Sequence, residues 1–127
     1  MEILHTHHSV SNAISLLSNH LTENHIKIFA IFNHGEEASQ VDMGLPETQV
    51  IVFGDPKVGT FLMQENNAIA LELPLKVVVW KQDTQTTLGY TKPSSLIDEF
   101  TITEHKVILE KMDHFMSNLV AVVLETE

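Results

Sequence analysis

Val50-Ile51-Val52-Phe53-Gly54-Asp55-Pro56-Lys57-Val58-Gly59-Thr60 reads as an apolar strand that runs into a turn and then into a helix. Val, Ile and Phe fill four consecutive positions, too many for one solvated face. The strand is therefore expected to be buried on both sides or to lie next to a second apolar layer. Gly54 marks its end. Pro56 fixes its own φ, carries no N–H and drives Asp55 out of the α region, so the chain bends at Asp55-Pro56. Thr60 is the expected N-cap of a helix through Met63-Gln64-Glu65, and Gly59 is expected to need a positive φ or a close backbone approach. Asp55, Lys57 and several free N–H groups then gather at a helix entrance, an arrangement that holds an anion. The plainer reading of the same junction is a turn that holds none.

Upstream, Ile26 to Phe32 is β-rich, with Ile26, Ile28, Ala30 and Phe32 expected on one face and Lys27, Phe29 and Ile31 on the other. Asn33-His34-Gly35 ends that strand, and Glu36 to Val41 reads as a short helix with Ala38 and Val41 inward. Ser9 or Ser11 caps an amphipathic helix whose apolar residues Val10, Ala13, Ile14, Leu17 and Leu21 recur at helical spacing. Ile3 to His7 is an expected edge strand that places His5 and His7 on one face. Two imidazoles so spaced could meet a metal, yet with no carboxylate or cysteine beside them surface histidines are the reading adopted, and no metal or cofactor is assigned.

Downstream, Phe61-Leu62-Met63 and Ile69-Ala70-Leu71 form a second apolar set, Leu73-Pro74 breaks any helix, and Leu75 to Trp80 is another strand. The polar turn Gln82-Asp83-Thr84-Gln85 leads to Thr86–Tyr90 and completes a hairpin. Pro93-Ser94-Ser95 begins a short helix through Phe100. Thr103 is the expected cap of a last helix, where Val107, Ile108, Met112, Phe115, Met116, Leu119, Val120 and Val123 make a wide apolar stripe. That stripe is more than one sheet face of a small domain needs, which predicts a homodimer built on it.

Composition narrows the function classes. The 127 residues suit one domain, 1–127. A formal charge of −10, from 17 acids against 7 bases, repels phosphate backbones and argues against nucleic acid as a partner. The absence of cysteine removes disulfides and thiolate chemistry and suits a reducing cytoplasm. Neither a secretory opening nor a run of about 20 apolar residues is visible, so the expectation is a cytoplasmic α+β domain without a membrane span.

Several phrases resemble the DUF302 family of bacterial and archaeal domains of unknown function. They are Ile28-Phe29-Ala30 followed by Asn33-His34, the run from Thr48 to Thr60, Leu62-Met63-Gln64, and Leu71-Glu72-Leu73-Pro74-Leu75-Lys76-Val77. The likeness extends from Ser9 to Tyr90 and keeps the apolar frame while departing from the family pattern at Asn33, Asp42, Glu47, Asp55 and Asn67. It implies a curved antiparallel sheet with helices packed on one face, in the order β-α-β-β-β-β-α, similar to the TATA-binding-protein-like group. It implies no established activity.

Two functions remain open at this point. The first is a non-catalytic small-ligand-binding or protein-interaction module that forms a homodimer, its cleft framed by His34, Asp55, Lys57 and Tyr90 and suited to a small anionic ligand. The second is a small enzyme in which His34 acts as general base, Asp55 orients it and Lys57 holds an anionic substrate. They separate on geometry: the enzyme needs His34 and Asp55 in one pocket.

Overall fold

The computed structural model describes residues 1–125. The apolar run becomes β3 (Thr48–Gly54), second from one edge of a five-stranded antiparallel sheet. The other strands are β1 (Glu2–Thr6), β2 (Lys27–Asn33), β4 (Leu75–Gln82) and β5 (Gln85–Tyr90), in the spatial order β1-β5-β4-β3-β2. The helices are α1 (Val10–Glu23), α2 (His34–Gln40), α3 (Pro56–Glu65), α4 (Leu96–Glu99) and α5 (Lys106–Glu125), with 3-10 turns at Asn67–Leu71 and Pro93–Ser95. Without the short elements the order is β-α-β-β-β-β-α. The fold is α+β.

Residues directly opposite one another in an antiparallel pair share a face, so Ile51 with Val77 and Val79 with Leu88 define one side of the sheet. Onto that side α1, capped by the Ser9 hydroxyl, lays Val10, Ala13, Ile14, Leu17 and Leu21. Beside it α5 adds Met116, Leu119, Val120 and Val123, all buried. The C-terminal half of the stripe expected to serve a dimer is therefore spent inside the chain, while Ile108, Met112 and Phe115 are half-buried and Val107 is exposed. Each of these larger side chains contributes about 1.5–3 kcal/mol by leaving water, and the sheet with α1 is wide enough to cover them because α1 shares the load.

The opposite side carries Ile3, Ala30, Phe32, Val50, Val52, Val78 and Trp80, matched across strands as Phe32↔Val50↔Val78 and Ala30↔Val52. Ile3 and Phe32 are each 47% exposed there, and Val50, Val52, Val78 and Trp80 are half-buried. The four-residue apolar run thus has one face in the core and one face open.

The strand face expected for Ile28, Ala30 and Phe32 is corrected by a bulge. Ile28 pairs with Phe53 and Ala30 with Val52, leaving Phe29 unpaired between them. One extra residue shifts the alternation by one, so Ile28 stays on the helix side while Ala30 and Phe32 move to the open side. The inward Val41 expected after α2 is also corrected: it is 66% exposed, and α2 buries none of its residues.

A second, smaller core gathers Leu62, Ile69, Leu96, Ile102 and Leu109, from α3, the first 3-10 turn, α4, the loop after it and the start of α5. Between the two cores a space is left, and the candidate site lies in it.

Candidate functional site

The helix after β3 starts earlier than its sequence suggests. Asp55 is the N-cap, its Oδ1 accepting the Lys57 N–H at 2.9 Å, and Pro56 occupies the first turn, where its missing N–H costs nothing. Thr60 lies a turn inside, its hydroxyl donating to the Pro56 carbonyl at 2.6 Å, so it is not the cap. Gly59 is corrected as well. It sits in the helix without a positive φ, and a Cβ there would meet only the Met63 Cε at 3.6 Å.

The other end of α3 is tied down by Glu65. Its carboxylate accepts the backbone N–H of Thr103, of Glu104 at 2.9 Å and of His105 at 3.2 Å, together with the Thr103 hydroxyl at 3.0 Å. The His105 Nδ1 lies 3.0 Å from its second oxygen. Thr103, expected to cap the last helix, thus donates instead, and α5 begins at Lys106 with Glu65 satisfying the amides ahead of it. The Thr103 and Glu104 amides in particular favour the ionised form and hold the Glu65 carboxyl down to about 2. Phe61 stacks on the His105 ring at 5.7 Å, and Asn66 donates to the Phe100 carbonyl at 2.8 Å.

Capped at its start by Asp55 and tied at its end to the loop before α5, α3 buries only Leu62. Beneath it opens a cavity of about 640 Å³. Its walls are Phe29, Phe53, Phe61 and Phe115, with Ile26, Val58, Met63, Leu73, Pro74, Leu75, Ile108 and Met112; the charged residues lining it are Asp55 and Lys111. The size falls within the roughly 300–1,000 Å³ usual for small-molecule sites, and mostly apolar walls with a few polar groups are their usual chemistry.

The four residues expected to frame a cleft are dispersed. Asp55 lines the cavity, and Lys57 lines a shallow neighbouring hollow that shares Pro56, Thr60 and Phe61 with it. His34 follows β2 at the end paired with Gln49, whereas Asp55 follows β3 at the end paired with Lys27. A seven-residue strand of roughly 20 Å separates them. His34 stacks on Phe32 and faces Glu37 at 4.0 Å. Tyr90, 8% exposed, belongs to the main core and borders a separate hollow with Lys92 and Asp113. The pairing of His34 with Asp55 that acid–base chemistry requires is not formed. The His5 Nδ1 lies 3.1 Å from the Thr87 hydroxyl, and among the described residues no cluster of three His, Asp or Glu side chains is placed to hold a metal.

The cavity's own residues escaped the sequence reading because they come from four separate segments. Phe29 reaches it from the bulged strand, Phe61 and Met63 from α3, Leu73-Pro74 from the loop before β4, and Lys111, Met112 and Phe115 from α5. The one local signal was the density of phenylalanine and methionine at helix positions otherwise assigned to the core.

Comparison with known proteins adds three findings. Over 74 residues the chain is 35% identical to the proteins named fluoride-specific ion channel FluC 1 of Brucella suis and of Brucella abortus. The alignment takes in 58% of this chain and 29% and 27% of those proteins, so the chain spans less than a third of the length of the curated relatives it matches. Among the described residues no helix is long and apolar enough to cross a membrane. The crystal structure of an uncharacterized conserved DUF302 protein from Bacillus stearothermophilus superposes with a TM-score of 0.84, over 96% of each chain at 16% identity, and shows the same fold without bearing on kinship to TATA-binding proteins. Finally, the family model described as domain of unknown function DUF302 matches residues 2–119, beyond both ends of the likeness seen in the sequence, and the chain belongs to that family.

Proposed function

We propose that the chain is a single non-catalytic domain of the cytoplasm that binds a small ligand in the cavity beneath α3, with no nucleic acid as partner. The observation that carries this reading is the cavity itself: about 640 Å³ walled by four of the chain's six phenylalanines and roofed by a helix fixed at its two ends. Buried apolar area supplies the affinity, and the charged lining orients the occupant. Fluoride is not carried over from the Brucella proteins, because a small hard anion is held by polar donors and these walls are aromatic and aliphatic.

Titration with decanol, followed calorimetrically and by amide shifts in two-dimensional NMR, is expected to give saturable binding with shifts centred on residues 53–63 and 108–115. Gly59→Leu, which places a side chain at the cavity from a helix position tolerant of leucine, is expected to abolish binding while keeping a cooperative melt. Undiminished binding in a folded Gly59→Leu protein puts the ligand elsewhere and defeats the reading.

Homodimerisation is a second part of the proposal, supported by a surface other than the helix stripe. The open side of the sheet is apolar along its centre, and the unbroken Val50–Phe53 run has the composition of a strand covered on both sides. Five strands about 4.8 Å apart and roughly 20 Å long give a flat footprint of about 400 Å² per copy, or about 800 Å² in all, below the range of stable specific interfaces and suited to a weak, transient contact. A second copy packed face to face is therefore expected to dissociate on dilution. Sedimentation should show a dimer at high micromolar concentration that Val78→Glu converts to a folded monomer. Emission from Trp80, the sole tryptophan, should shift to the red as the parent is diluted. A monomer at every concentration, or a dimer indifferent to Val78→Glu, excludes this surface.

A further inference from the structure

We infer that the ligand is an amphiphilic anion, a fatty-acid-like molecule whose chain lies among the phenylalanines and whose carboxylate meets Lys111. This rests on the reading of the cavity as the binding site and assigns the class of its occupant. Apolar walls discriminate poorly between molecules of similar shape, so the sign of the head group is decided at the rim.

Of the two charged lining residues, Asp55 is already engaged as the cap of α3, its oxygen taking the Lys57 N–H at 2.9 Å. Lys111, exposed on α5, makes no ion pair with any described residue. Two more lysines stand close by. The Lys27 Nζ lies 4.8 Å from the ring centre of Phe29, a cavity wall, and Lys57 lines the hollow that adjoins the cavity across Pro56, Thr60 and Phe61. Lys111 thus lines the cavity itself, Lys57 the hollow beside it, and Lys27 covers the ring of one of its walls, three of the seven basic residues of a chain with formal charge −10. A cationic head would be repelled by Lys111 and would compete with the helix for Asp55. A carboxylate finds an unpaired ammonium and leaves the cap intact.

Calorimetry with octanoate, decanoate and dodecanoate below their micellar concentrations, alongside decanol and decyltrimethylammonium, tests the assignment. Affinity is expected to rise about fourfold for each added methylene. Decanoate should bind two- to fivefold more tightly than decanol, the scale of an exposed ion pair, and Lys111→Gln should bring decanoate down to the affinity of decanol. Equal binding of decanoate and decanol by the parent, or tighter binding of the ammonium compound, overturns the anionic head while leaving the cavity as a ligand site. Failure of every chain, decanol included, defeats the cavity reading itself.

Discussion

Leu119→Ala is expected to lower the free energy of unfolding by about 2–5 kcal/mol, because the side chain is fully buried between α5, α1 and the sheet and its removal leaves a void that the surroundings fill only in part. Urea titration should show the midpoint falling with an unchanged slope, the sign of lost stability in an otherwise intact native state. The same substitution separates the two uses of the α5 stripe. Were the stripe an interface between subunits, Leu119→Ala would dissociate a dimer and leave the monomer's midpoint near that of the parent. That result would return α5 to the surface.

The second large effect is expected at Glu65. Glu65→Ala frees the amides of residues 103–105 and unties α3 from the start of α5, so the melting temperature at pH 7 should fall sharply and the cavity should lose its roof. The pH dependence has a definite sign. Glu65 titrates at about 2 in the folded chain against an ordinary value of 4.5, so between these values the unfolded chain binds the proton and the folded one does not. The stabilisation is complete above about pH 4.5 and disappears as the pH falls through 2. Melts of parent and variant followed by circular dichroism should therefore lie far apart at pH 7 and converge toward pH 2. A gap of constant width would show that Glu65 acts through packing, not through its charge.

The sheet and its two long helices were legible because their signals are local: the dense apolar run Leu75–Trp80 after Leu73-Pro74, helical spacing from Val10 to Leu21, the serine before it, and the polar turn of the hairpin. Three things were not legible, each for a physical reason. A bulge adds one residue without any compositional mark, and a strict two-residue alternation through β2 therefore put Phe32 on the wrong side. The loop that leads into α5 is held by Glu65, some forty residues earlier in the chain, and Thr103, the local cap candidate, donates to that carboxylate instead. The proposed cleft failed because antiparallel strands place consecutive strand ends at opposite poles: residues 34 and 55 both follow strands, and for that reason they are far apart. The junction after β3 does border the cavity. What mattered there was the space that the helix leaves behind it.

The bulge at Phe29 also bears on whether a strand from another copy could add to this sheet. β2 is one of the two strands with a free edge, and its outer residues Phe29, Ile31 and Phe32 are all more than 40% exposed, a composition that invites another strand to add. An incoming strand needs an unbroken row of amides and carbonyls in one phase. Here Lys27-Ile28 and Ala30–Asn33 are offset from each other, so neither fragment is long enough to seat a newcomer, and the twist imposed at the break turns the row away. Growth along the hydrogen-bonding direction, which would run on without limit as a fibre, is thereby discouraged. The pairing proposed across the open face would instead end at two.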